Sequence, residues 1–328
     1  IVHHVSTIPR QDPKAPNEPE DVTALCWSNY IENNEILLAS GNFNGLISIY
    51  KRDKEVNSIS FHQTPVVDIH FSDDGLNLLS AASGGTVIIS SIDESSFAHA
   101  VLAHWEIKDE IVGAVWMGGS SSSQNTNSIL IASTKNLYRA RENESNSSSI
   151  FSSAAPIVQL VSNSTHDMFV IGDSNGNVSV FNPQGTNIYT SNAHNGTICC
   201  LSISENIPLC FATGGYDASV HIISLTPPSN SNPTKLNDII NKDTNSKILN
   251  FDGHISPVYC VAFDPLGRYI ASAAKETINI WSIETKKLHI SYIATCPTID
   301  VCWSPDGRFL TICLFSGEVA VIDFNQLC

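Results

Sequence analysis

Apolar residues along this chain fall into short alternating runs, each stopped by Gly, Pro, Asp or Ser. The clearest block is residues 249–281, LNFDGHISPVYCVAFDPLGRYIASAAKETINIW. Its pattern predicts strands over Val258–Phe263, Tyr269–Ser272 and Thr277–Trp281, with a turn at Asp264-Pro265-Leu266-Gly267. Alternation with period two, broken by turn residues, is the pattern of half-buried strands joined as hairpins.

Weaker copies of this block fill the rest of the chain. The first unit has Val22–Trp27, Ile36–Ser40 and Leu46–Tyr50. The second, from His62, has Val66–Phe71, Leu76–Ser80 and Thr86–Ser90. The third, from His104, has Ile111–Trp116, Ile129–Ser133 and Asn136–Ala140, with a polar insertion at 118–127. The fourth and most degenerate covers about 156–181. The fifth, from His194, has Ile198–Ile203, Leu209–Thr213 and Ser219–Ile223 and is followed by a polar insertion at 226–247. The opening block is the sixth, and the seventh has Thr298–Trp303, Arg308–Ile312 and Glu318–Ile322. Both insertions read as disordered decoration.

The Gly253-His254 pair and the closing Trp281, about thirty residues apart, resemble one WD40 repeat. The resemblance implies an all-β fold, a WD40 β-propeller forming one domain over 1–328. Seven blades are countable, starting near 21, 62, 104, 156, 194, 254 and 298. An eighth is accommodated if the chain continues upstream of residue 1, which is not Met. Each unit supplies three strands and the segment leading into the next unit supplies the fourth. The seventh then lacks a fourth strand, and residues 1–10 are expected to supply it and close the ring. In such a blade His, Ser or Thr, Trp and Asp form a buried hydrogen-bond chain. The sixth unit has no Asp in the turn after its second strand, and Ile223 replaces the Trp in the fifth. The chain therefore reads as mostly broken, leaving apolar packing to hold the blades.

Composition narrows the function. Of 328 residues, 42% are hydrophobic and only 15% charged, with a formal net charge of −15. An acidic body repels phosphate backbones, so no direct nucleic-acid binding is expected, and basic partners are favoured. No run is long enough to cross a membrane, and no signal peptide is read. Nine cysteines without a C-x-x-C read as free, mostly buried thiols in a reducing compartment. There is no G-x-S-x-G, H-E-x-x-H or P-loop, so no enzyme and no cofactor is expected. His3 and His4 are adjacent in a strand and point to opposite faces, so no metal site is read there.

The segments DVTALCW…LLASGNFNGLISIY, SPVYCVAFDPLGRYIAS, IDVCWSPDGRF and GEVAVID resemble the transducin beta-like 1 family. That resemblance implies a nuclear scaffold of corepressor and histone deacetylase assemblies, contacting corepressor peptides and histone tails. It also implies an N-terminal LisH module and eight blades, neither of which is read in these residues. An adaptor of another assembly, in ubiquitin ligation or RNA processing and cytoplasmic, is the alternative. Propellers bind peptides on the face carrying the turns between second and third strands. Phe43, Tyr216, Tyr259 and Phe315 occupy that face as candidate hot-spot residues, with Asp21 and Glu110 as acidic complements to a basic peptide. The competing reading is that these aromatics plug the blades and touch no ligand.

Overall fold

The computed structural model describes residues 2–5, 22–28, 37–51, 54–92, 99–117, 128–226, 245–316 and 319–324. Its described residues form seven four-stranded antiparallel sheets, the blades of a β-propeller. Blade I is Val22–Trp27, Leu37–Asn42, Ile47–Lys51 and Lys54–Ile59. The first strands of blades II, III and IV are Val66–Phe71, Ile111–Met117 and Ile157–Ser162. Blade V is Ile198–Ile203, Cys210–Gly215, Ser219–Thr226 and Asn245–Asp252; blade VI is Cys260–Phe263, Tyr269–Ala274, Thr277–Ser282 and Lys287–Ile293. Blade VII is Thr298–Trp303, Phe309–Leu314 and Val319–Asp323, and Val2–Val5 pairs antiparallel with its third strand. The chain divides into two compact units, residues 8–160, and residues 1–7 with 161–328.

The two ends of each sheet differ. Turns from second to third strand are two to four residues long throughout. The long connections, 28–36, 93–98, 118–127 and 227–244, join first to second or third to fourth strands, at the opposite end of their sheets. In blades VI and VII that end is closed by turns whose last residue is a glycine in the left-handed region, Gly267 (φ 69°) and Gly307 (φ 65°). The Gly267 N–H donates to Asp264 O at 2.8 Å and the Gly307 N–H to Ser304 O at 2.8 Å. This is turn chemistry that the sequence already displays.

Blade faces pack apolar side chains on their neighbours. Within residues 8–160, Ala39, Ile49, Val66, Ile69 and Phe71 share one cluster, and Leu79, Ile89, Ile111, Trp116 and Ile131 another. Within the other unit, Val258, Val261, Phe263 and Trp281 pack on Cys200, Ala212 and Ile222, while Trp303, Leu310 and Phe324 pack on Ala271 and Ile280. Inner-strand tryptophans add a polar clasp: Trp116 Nε1 donates to His70 O of the preceding blade at 3.2 Å, and Trp303 Nε1 to Ala262 O at 3.1 Å. Each ring thus buries a large apolar area while its one donor stays satisfied.

The His-centred networks lack the members the sequence lacks, but what remains of each is hydrogen-bonded. In blade V, His194 Nε2 pairs with Thr213 Oγ1 at 2.7 Å and Nδ1 with Asp217 Oδ1 at 2.9 Å. His221 stacks on the His194 ring with centroids 4.4 Å apart. In blade VI, His254 Nε2 pairs with Ser272 Oγ at 2.7 Å, Trp281 Nε1 donates to the same hydroxyl at 2.8 Å, and Asn279 Nδ2 lies 3.5 Å from His254 Nδ1. Each blade lacks one member of the set, and a neighbouring side chain, His221 by stacking or Asn279 by its amide, packs on the histidine. Among the described residues, His221 Nδ1 and, in blade II, His62 Nδ1 stay buried without a hydrogen-bond partner.

His254 and His62 fold as neutral rings. Burial lowers the pKa of His254 to about 4, and burial with the nearby His104 lowers that of His62 to about 4. Unfolded, both titrate near 6.5. Above that value neither state is charged and their contribution to stability is fully present. As pH falls from 6.5 towards 4, only the unfolded chain takes up protons, so stability is lost at about 1.4 kcal/mol per pH unit for each ring. We expect melting temperature to fall across that window, and to fall less steeply in His254→Gln. Parallel curves for the two proteins would show that His254 does not titrate in this way.

Candidate functional site

At the end of the sheets that carries the short turns, backbone bonds between blades recur in four places. Ile111 N–H donates to Ser83 O at 3.2 Å, Ile157 to Thr134 O at 2.8 Å, Val258 to Gly215 O at 3.0 Å and Thr298 to Lys275 O at 2.8 Å. The carbonyl lies in the turn of one blade, or at Gly215 on the strand residue before it, and the donor starts the inner strand of the next, or at Val258 stands two residues before it. The inner strands also carry a bulge at their second residue in blades I, II, III, V and VII. A bulge of this kind turns the extra side chain out of the ladder.

Tyr216 and Tyr259 sit on either side of one such bond. Tyr216 follows Gly215 at the turn of blade V, and its N–H donates to Thr197 O at 2.9 Å. Tyr259 follows Val258, and its N–H donates to Ala273 O at 3.0 Å. The sequence places Tyr259 second in a strand beginning at Val258. The ladder instead starts at Cys260, and Tyr259 takes the place that bulged residues hold in the other blades. Phe315 stands one blade on, its N–H bonded to Pro297 O at 2.8 Å.

These aromatics are not plugs. Relative exposure is 63% for Tyr216, 49% for Tyr259, 76% for Phe315 and 60% for Phe43. The structure brings Tyr216, Tyr259 and Phe315 onto three successive blades of the unit formed by 1–7 and 161–328. Phe43 and the exposed Glu110 belong to blades I and III of the other unit, with blade II between them. Asp21 lies outside the described residues. Sequence reasoning missed Ile255, almost wholly exposed just before Tyr259, and left Ile299 out of the patch although it is exposed on the bulge of blade VII. The signal for Ile255 was an apolar residue in His254-Ile255-Ser256-Pro257, where a loop residue is normally polar.

The patch has an anionic neighbour. Asp217 follows Tyr216 in the same turn. Burial alone would raise its pKa, but the Ser219 hydroxyl, the Asn195 N–H and His194 hold it well below the usual carboxylate range. Its charge is therefore fixed beside the tyrosines, although its oxygens are largely committed to those three partners. Among the described residues no group of three or more His, Cys, Asp or Glu is arranged to hold a metal ion. What this surface offers is apolar, partly aromatic contact area on a rigid backbone.

Three stretches, 53–89, 185–224 and 245–282, match the WD40 model, "WD domain, G-beta repeat". Protein hir1 of Schizosaccharomyces pombe is 26% identical over 152 residues, 44% of this chain and 13% of that protein. The intraflagellar transport protein 122 homolog of Xenopus tropicalis is 27% identical over 144 residues, 43% of this chain and 10% of that protein. Polycomb protein EED of Chaetomium thermophilum is 30% identical over 118 residues, 35% of this chain and 19% of that protein. The aligned stretches thus span less than a fifth of these relatives, and no clear link to the transducin beta-like 1 family emerges. The β-propeller domain of Cps50 (Swd1) of Myceliophteria thermophila superposes with a TM-score of 0.69 over 98% of this chain and 99% of that one, at 15% identity. Repeat matches in three stretches and a matching propeller over nearly the whole chain lead to one conclusion: this is a seven-bladed β-propeller carrying WD40 repeats.

Proposed function

We propose that the chain is a non-catalytic platform that binds peptide segments of other proteins, in a nuclear chromatin assembly of the corepressor and deacetylase type. The observation that carries this reading is the exposed pair Tyr216 and Tyr259, flanking a backbone bond that fixes their spacing. Solvated aromatics on a rigid frame are what interface hot spots are made of, since little side-chain entropy is lost on docking. The net charge of −15 and the fixed carboxylate of Asp217 favour a Lys- or Arg-rich segment, such as a histone tail. Similarity to a Polycomb protein supports the chromatin setting. Similarity to an intraflagellar transport protein supports the second reading, an adaptor in a cytoplasmic assembly.

Affinity purification from native cells, with mass spectrometry of the co-purifying chains, separates the two settings. The site itself is tested by titrating fluorescent Lys-rich peptides. Tyr216→Ala with Tyr259→Ala is expected to weaken binding by at least about tenfold while leaving the melting temperature within about 2 °C, because both rings are exposed. Unchanged affinity in the folded variant would remove the pair from the site.

A further inference from the structure

The candidate surface extends beyond its aromatics. Ile255, in the loop leading into blade VI, is 98% exposed, and Ile299, the bulged residue of blade VII, is 57% exposed. Three bonds join the aromatics and Ile299 into one strip. Gly215 O accepts the Val258 N–H at 3.0 Å, which ties Tyr216 to Tyr259. The Cys260 thiol donates to Ile299 O at 2.7 Å, which ties Tyr259 to Ile299. Pro297 O accepts the Phe315 N–H at 2.8 Å, which brings in Phe315. Ile255 is fixed in the same frame, because His254 before it is buried and paired with Ser272 Oγ at 2.7 Å, and Val258 after it is buried. A contiguous exposed apolar strip is the mark of a surface used by a partner.

Charge flanks this strip on both sides. Asp252, three residues before Ile255, ends the outer strand of blade V opposite Ser219. Glu276 lies in the short turn of blade VI, beside Lys275, whose carbonyl accepts the Thr298 N–H at 2.8 Å next to Ile299. Lys275 is the exposed cation of this turn. Asp217 is committed to Ser219, Asn195 and His194, whereas neither Asp252 nor Glu276 is tied by a side-chain hydrogen bond among the described residues. A solvated carboxylate attracts a cation through water and is screened by salt, so it speeds encounter more than it prolongs contact. An apolar side chain that leaves water on docking acts on residence instead.

Resting on the platform reading above, we propose that the partner segment is both basic and apolar: a Lys- or Arg-containing stretch with a large aliphatic or aromatic side chain that docks on Ile255 and Ile299. Its cations are drawn by Asp252 and Glu276, and its apolar anchor sets how long it stays. A tail of charged and small residues alone associates with this surface and leaves quickly.

The probes are short fluorescein-labelled peptides of Lys and Gly with Leu, Phe or Gly at the centre, read on the whole chain by anisotropy and stopped flow. The Leu and Phe peptides are expected to bind at least about tenfold tighter than the Gly peptide, chiefly through slower dissociation. Ile255→Ser with Ile299→Ser is expected to reduce that preference to about twofold or less in a chain that still folds, because both side chains are exposed. Asp252→Asn with Glu276→Gln is expected to slow association and to leave dissociation within about twofold. Equal affinity for the three peptides overturns this inference and leaves the platform reading standing. Failure of all three to bind removes the platform reading for basic segments and this inference with it. A dimer in sedimentation that Ile255→Ser with Ile299→Ser dissolves assigns the surface to a second copy of the chain and likewise overturns the inference.

Discussion

Trp281→Ala should lower the stability of the chain by about 3–5 kcal/mol, measured as the shift of the urea unfolding curve. The ring is 3% exposed and is a member of the cluster shared by blades V and VI. Its centroid lies 5.3 Å from that of Phe251 and 6.1 Å from that of His254. Removing it opens a cavity in close-packed surroundings and takes one donor from the buried Ser272 hydroxyl, which also pairs with His254. Trp281→Phe separates the two effects. It keeps much of the volume but not the donor, and should cost about 1–3 kcal/mol. A loss below about 1 kcal/mol for the alanine variant would mean that the blade collapses onto the vacated space and that the half-network does not hold it.

Gly176→Val should be at least as damaging, by a different route. Gly176 ends the short turn of blade IV at φ 83°, in the left-handed region. Its carbonyl accepts the N–H groups of Ala193 and His194 at 2.8 and 3.1 Å. A side chain there would run into the carbonyl oxygens of His194 and Gly196. Backbone strain of about 1–2 kcal/mol for an L-residue comes first, and is larger for a β-branched one. The clash then displaces His194, the hub of the blade V network. We expect loss of 3 kcal/mol or more, or failure to accumulate as folded protein. Retention of wild-type stability would show that this segment is free to move aside.

Much of this fold is visible in the order of residues because its signals are local. Alternating strands, Asp264-Pro265-Leu266-Gly267 and Ser304-Pro305-Asp306-Gly307 act over a few positions. The apolar run Met168–Gly172 marks a blade even where the repeat has lost its His. The networks are less legible. Their members come from three strands, and the substitutes, Asn279 beside His254 and His221 on His194, are ordinary polar residues until the register is known. Tryptophan clasps to the preceding blade are hidden for the same reason, since Trp116 and His70 are brought together only by packing. At the candidate site the sequence marks the turn and bulge positions, so Tyr216 and Tyr259 can be found. That one backbone bond spaces them, and that Phe43 and Glu110 lie in the other compact unit, depends on tertiary structure.

The unequal ends of the blades bear on how such a chain can change over time. The short turns of blades II, III, V and VI, tied to the next blade by a backbone bond, leave little slack for insertion without shifting a neighbour. Residues 118–127 and 227–244, read from the sequence as insertions, lie outside the described residues and follow strand ends remote from these turns. Exposed side chains at the short-turn end can therefore be exchanged freely, whereas added length there shifts a neighbouring blade. Under the proposed function, a change of side chain at that end would alter contacts without altering the frame that holds them.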